Sequence, residues 1–95
     1  MNIVDVLKRL HAGEKFDQEE LDELYESYYY DEDIYEVENK GTLIYQVILQ
    51  IGNEYYAGYQ YRNDMWGSEW DENQGLIRVY PKEIKTITWT TEEEK

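Results

Sequence analysis

Between Glu14 and Glu38 the chain carries 12 acidic residues and one base, Lys15, a local charge of −11 in 25 residues. Repulsion on that scale leaves a segment disordered unless it buries enough apolar surface to offset the cost of ordering. Leu21, Leu24, Tyr25, Tyr28, Ile34, Tyr35 and Val37 recur through the stretch at regular spacings. It is therefore expected to fold, with its carboxylates crowded onto the faces left exposed. The remainder of the chain is close to neutral: residues 1–13 sum to +1, residues 39–91 to −1 and the last four to −2, which completes the net charge of −13.

That balance excludes whole classes of partner. Nucleic-acid binding is driven by Lys and Arg displacing counterions from phosphates, so a chain with 22 acidic and 9 basic residues is not expected to bind DNA or RNA directly. Anionic membrane surfaces are disfavoured for the same reason. The 95 residues suit one domain, expected over residues 1–91, and without cysteine it must be held by its core alone. Residues 92–95 are expected to fray. No apolar run of spanning length and no basic leader is present, so a soluble cytosolic protein is expected.

Asn2 can cap a first helix in which Ile3, Val4, Leu7 and Leu10 recur at helical spacing, ending near His11 with Gly13 as the stop. The second helix has a fuller start. Asp17 is its N-cap, Glu20 completes a capping box and Phe16 can staple to Leu21. Its stripe of Leu21, Leu24, Tyr25 and Tyr28 turns Glu19, Glu23, Glu26 and Tyr30 to the opposite face. The period then changes to two. Tyr35 and Val37 alternate with Glu36 and Glu38 before a turn at Asn39, Lys40 and Gly41. A second strand puts Leu43, Tyr45, Val47, Leu49 and Ile51 on one face and Thr42, Gln46 and Gln50 on the other, and Gly52 with Asn53 makes a hairpin to a return strand from Tyr55 to Arg62. A loop over residues 63–75, a strand over 77–80 broken at Pro81 and a last strand over 86–90, with Ile87 and Trp89 on one face, complete the reading. The expected fold is α+β: two N-terminal helices packed on a four- to five-stranded antiparallel sheet or on a small barrel curled from it.

The acids sit where local stability would not put them. Glu26, Asp31, Glu32 and Asp33 gather at the expected C-terminal end of the second helix, where the helix dipole disfavours negative charge, and Glu19 and Glu23 are like charges at i and i+4. Carboxylates at i, i+3 and i+4 on a helix are about 5 to 6 Å apart at Cβ. Those at i and i+2 on a strand, such as Glu36 and Glu38, are spaced by roughly 6.6 Å. Both spacings resemble that of neighbouring phosphates on a nucleic-acid strand, so such a row can accept the arginines that would otherwise grip DNA. The 11 Tyr against one Phe point the same way, because Tyr buries a large ring and still offers a hydroxyl at an interface. Glu19, Glu23, Glu26, Asp31, Glu32, Asp33 and Glu36 are the expected charged contacts, with Tyr29 and Tyr30 as the central apolar one.

A second candidate surface is the loop holding Met65, Trp66 and Trp70, which either folds back over the sheet or anchors a partner or a sugar ring. Catalysis is not expected. The single His, His11, ends a helix, and exposed acids lack the desolvated pocket that separates two carboxyl pKa values. No metal site or cofactor is expected either: Asp31 and Asp33 start a calcium-loop pattern, but Tyr35 takes the third ligand position.

Small, very acidic single-domain chains are typical of phage-encoded inhibitors of host defence. Met1, Asn2, Ile3 and Asp5, with the hairpin Gly52, Asn53, Glu54 and Tyr55, resemble segments of the anti-CRISPR proteins that inhibit Cas9, which join anti-restriction proteins as DNA mimics. In that family the acid-rich region follows the hairpin, whereas here it precedes it, so no residue role transfers by position. The resemblance implies a mechanism in which carboxylates occupy the arginine-lined site that reads the protospacer-adjacent motif and so exclude DNA. The expected partner is thus a basic nucleic-acid-binding protein, Cas9 or another defence nuclease. An immunity protein that neutralises a nuclease toxin would use the same acids, and a binding module built on Trp66 and Trp70 is the alternative of a different kind.

Overall fold

The computed structural model describes residues 2–39, 41–83 and 87–90. Helices α1 (Ile3–His11) and α2 (Gln18–Tyr28) precede strands β1 (Tyr29–Asn39), β2 (Thr42–Ile51), β3 (Glu54–Asn63), β4 (Gly67–Trp70), β5 (Ile77–Glu83) and β6 (Ile87–Thr90). The helix starts follow from their caps. Asn2 Oδ1 accepts the Val4 N–H at 2.8 Å. Asp17 Oδ1 accepts the Glu20 N–H at 2.9 Å while Glu20 Oε1 accepts the Asp17 N–H at 3.1 Å, the reciprocal pair of a capping box. Gly13, at φ +76°, stops α1.

The sheet is antiparallel, in the order β1-β2-β3-β5-β6, and it is open rather than closed into the small barrel that was the alternative expectation. Strand β3 serves two partners on one edge. Its first half pairs with β5, from Tyr55 opposite Val79 to Ala57 opposite Ile77, and its second half with β4, from Gln60 opposite Trp70 to Asn63 opposite Gly67. The β2–β3 hairpin turns at Gly52 and Asn53 with positive φ only at Gly52, +65°, the pattern of a type II′ turn.

Buried side chains of both helices and of β2 to β4 form one cluster: Val6, Phe16, Leu21 and Leu24 with Val47, Leu49, Ile51, Tyr56 and Trp70. The other face of the sheet has a smaller core of Ile48, Ala57 and Val79, with Tyr55 against it. Strand β2 is therefore buried on both faces over Val47 to Leu49, where simple alternation predicts one.

Other departures have local causes. Helix α2 passes into β1 with no loop, so the strand begins at Tyr29 rather than near Tyr35, and Tyr30 lies on a strand instead of the outer face of the helix. The long apolar run of β2 offers a pairing edge over the whole of Tyr29–Asn39, and three tyrosines with good strand propensity outweigh the acids that disfavour it. The expected 63–75 loop contains β4, a strand of four residues, too short to show a period. Strand β5 continues through Pro81 to Glu83. By Tyr80 it has left β3 and pairs with β6, so the missing Pro81 N–H costs the β3 ladder nothing. Lys40 of the first expected turn, Thr86, the Ile87 and Trp89 side chains and the 92–95 tail lie outside the described residues.

Candidate partner-binding surface

All three arginines of the chain are engaged internally, each between a carboxylate and an aromatic ring. Arg9 Nη1 donates to Glu20 Oε2 at 2.5 Å and its Cζ lies 4.1 Å from the centre of the Phe16 ring. Arg62 forks onto Glu32, Nη2 donating to Oε1 at 2.9 Å and Nη1 to Oε2 at 3.1 Å, with Cζ 3.8 Å above Tyr45. Arg78 Nη1 lies 3.5 Å from Glu54 Oε1, with Cζ 4.8 Å from the Tyr80 ring. Most of the surface acids are left without compensation. Glu19, Glu26, Asp31, Asp33, Glu36 and Glu38 make no ion pair among the described residues.

Strand β1 sorts those acids by face. The register Asp31 opposite Ile48, Asp33 opposite Gln46 and Glu36 opposite Ile44 puts the three carboxylates on the face away from the helices, while Glu32 opposite Val47 points to the helix side. Register shifts at Tyr29/Asp31 and Ile34/Glu36 are β-bulges, and each re-aims one extra residue. Tyr30 and Tyr35 occupy them, and both rings meet β3 tyrosines on the far face: Tyr30 against Tyr55 with centroids 5.2 Å apart, and Tyr35 against Tyr59 at 4.9 Å. The plain alternation of Tyr35 and Val37 against Glu36 and Glu38 is thus broken at the second bulge. The far face of this edge strand presents Tyr30, Asp31, Asp33, Tyr35 and Glu36 together.

The expected site residues consequently fall into three groups rather than one row. Glu19, Glu23 and Glu26 are exposed on the stripe of α2 opposite buried Leu21 and Leu24. Asp31, Asp33 and Glu36 lie on the far side of the sheet, reached from α2 only around the β1 edge. Glu32 belongs to neither, since its two oxygens are taken by Arg62 and by the Tyr25 hydroxyl, which donates at 2.8 Å. Tyr29 and Tyr30, 48% and 43% exposed, do not make one apolar contact as expected. The first bulge separates them: the Tyr29 ring packs edge-on to Tyr25 of α2 at 5.4 Å, and Tyr30 turns to the far face. Tyr35 was not among the expected contacts, and its 59% exposure results from a bulge that no sequence period reveals.

The two loop tryptophans also separate. Trp70 is 3% exposed, and its Nε1 donates to Asp22 Oδ1 at 2.7 Å, so it is a core residue and unavailable as an exposed anchor. Trp66, on the β3–β4 turn, is 53% exposed beside the almost fully exposed Met65. No group of three or more His, Asp or Glu side chains among the described residues is placed to hold a metal ion.

Three partly buried carboxyls are held below the usual carboxylate range. Glu32 is lowered chiefly by the hydrogen bonds from Arg62, against a burial penalty, and Glu20 by those from Arg9 and the Asp17 N–H. At Glu54 burial acts in the opposite direction, but the Tyr56 hydroxyl, His11 and the Arg78 charge together outweigh it. Burial, reinforced by Glu54, pushes the Tyr56 hydroxyl far up, and burial with Glu32 pushes Tyr25 up. The signs set the pH profile. Depressed carboxyls contribute stability that is present above the unfolded value of about 4.3 and lost as pH falls through their folded values. Raised tyrosines contribute stability that is present below about 10 and lost above it. The melting temperature is expected to hold or rise from pH 7 to about 5, as self-repulsion from the −13 charge is relieved, and to fall below about pH 4 and above about pH 10. Thermal melts across that range check it; a steady decline from pH 7 to 5 would contradict these assignments.

Compared with known proteins, the chain matches no family model, no curated protein and no solved structure.

Proposed function

We propose that the protein is a non-enzymatic, phage-type counter-defence inhibitor that occupies the positively charged nucleic-acid-binding surface of a host nuclease such as Cas9 and blocks DNA binding as a DNA mimic. The helices pack on one face of the sheet, leaving two acidic surfaces that meet around β1. The observation that carries the reading is the uncompensated charge. Every arginine is used internally, while Glu19 and Glu26 on α2 and Asp31, Asp33 and Glu36 on β1 point outward without an ion pair among the described residues. Asp31 and Asp33 stand two residues apart on a hydrogen-bonded strand, a spacing of roughly 6.6 Å held by the sheet. Carboxylates fixed in this way are ready for bidentate arginines, and their field speeds encounter with a basic partner.

The test is capture of partners from nuclease-treated host lysate at low and high salt, followed by assay of DNA binding by the captured protein. The native chain should retain a basic nuclease at low salt, release it at high salt and displace its DNA. A variant carrying Glu19→Lys, Glu23→Lys and Glu26→Lys, and another carrying Asp31→Lys, Asp33→Lys and Glu36→Lys, should show which acidic surface is used by losing capture. Retention by both variants would overturn the reading. Capture of a toxin nuclease in place of a defence enzyme would assign the same surface to an immunity protein.

A further inference from the structure

The far face of the sheet ends in a depression of about 430 Å³ lined by Glu38, Thr42, Tyr61, Trp66 and Glu69. It draws one wall from each of strands β1 to β4 and the β3–β4 turn. The turn is tied down: Asn63 Oδ1 accepts the Met65 N–H at 2.8 Å, and Asn63 Nδ2 donates to Thr42 Oγ1 at 2.7 Å. Tyr61 stands opposite Glu69 in the β3–β4 ladder and donates its hydroxyl to Asp71 Oδ2 at 3.1 Å. Glu36 and Glu38 lie close enough to act on the same hydroxyl through their charge. The depression therefore joins two aromatic rings to carboxylates on both sides. No cation is found among its described lining residues.

We infer that this depression receives an arginine side chain of the partner, which rests on the inhibitor reading above and gives it a point of attachment. The chain supplies its own template. Arg9, Arg62 and Arg78 each lie against an aromatic ring with a carboxylate at the guanidinium, the same combination that Tyr61 and Trp66 make with Glu38 and Glu69. A planar guanidinium stacks on a ring and still donates in its own plane to carboxylates, whereas an ammonium is a compact, strongly hydrated charge that gains less from the ring. Charge alone would attract either cation. The aromatic walls select arginine.

The test compares two synthetic ten-residue peptides, one alternating Arg with Ser and one alternating Lys with Ser, by calorimetry with the intact chain at low salt. The arginine peptide is expected to bind at least about tenfold more tightly. Trp66→Leu is expected to bring the ratio close to one, and Glu38→Gln with Glu69→Gln to weaken both peptides. Neutralising Glu19, Glu23 and Glu26 to Gln should weaken both peptides equally and leave the ratio intact. Equal affinity of the native chain for the two peptides, or a ratio that Trp66→Leu does not change while its melting temperature stays native, would overturn the assignment. If the peptides bind equally while DNA is still displaced from a basic nuclease, the inhibitor reading stands and this site falls. If neither peptide nor nuclease is bound, both fall.

Discussion

Trp70→Ala is expected to lower the free energy of unfolding by about 3 to 5 kcal/mol, the range for truncating a buried aromatic ring and a large share of what a domain this small possesses. The side chain holds three parts of the fold at once. Its ring lies in the main buried cluster, edge-on to Tyr25 of α2 with centroids 5.7 Å apart, and its Nε1 donates to Asp22 of the same helix. Its backbone is bracketed by Gln18 at the start of α2, whose Oε1 accepts the Trp70 N–H and whose Nε2 donates to the Trp70 carbonyl, both at 2.7 Å. Beneath the ring lies Gly58 of β3, where an added Cβ would come within 3.3 Å of Cζ3 and 2.9 Å of Leu76 Cδ2. The niche exists because position 58 has no side chain. The alanine variant leaves it empty and loses the Asp22 hydrogen bond and the ring contact with α2, keeping only the backbone bonds to Gln18, while Trp70→Phe keeps most of the apolar area and should cost about half as much. Denaturant midpoints measure both, and a loss below about 1 kcal/mol for the alanine variant would show that β4 is not anchored through this ring.

This role explains which parts of the structure could be read from residue order. The start of α2 was legible because a capping box is a local device, with both hydrogen bonds closing within four residues of chain. The β2–β3 hairpin was legible for the same reason, since Gly52 supplies its own positive φ. Strand β4 was not, because its four residues carry no period and are placed by contacts of Trp70 with Gln18 and Asp22 about 50 positions away. Strand β1 was misread at its start for a related reason: Asp31, Glu32 and Asp33 are poor strand formers taken alone, and what makes them a strand is the opposing edge of β2. The bulges follow from that pairing and not from composition. They decide the candidate site, because a one-residue shift exchanges the faces of every side chain beyond it. The acids were visible as a block, but their division between α2, the far face and the Arg62 pair was not.

Glu32 and Asp33 are adjacent carboxylates with opposite duties, and exchanging each in turn separates fold from function. Glu32→Ala is expected to destabilise by about 2 kcal/mol, because it removes a forked ion pair with charged hydrogen bonds and leaves the Arg62 guanidinium and the Tyr25 hydroxyl short of an acceptor in a half-buried setting. Asp33→Asn should change stability by no more than about 0.5 kcal/mol, since an amide oxygen can still accept the Ile34 N–H and the side chain is otherwise exposed. Partner affinity should move the other way. Asp33→Asn removes an outward charge from the far face and is expected to weaken capture of a basic partner, more so at low salt, where the field is least screened. Glu32→Ala, assayed well below its melting temperature, should bind within a few-fold of the native chain, because the charge it deletes is already matched by Arg62 inside the sheet. Paired melts and salt-dependent affinities of the two variants decide the point. If Glu32→Ala weakened binding as much as Asp33→Asn, the net charge of the chain would govern recognition and the sorting of acids by the β1 bulges would be irrelevant to it.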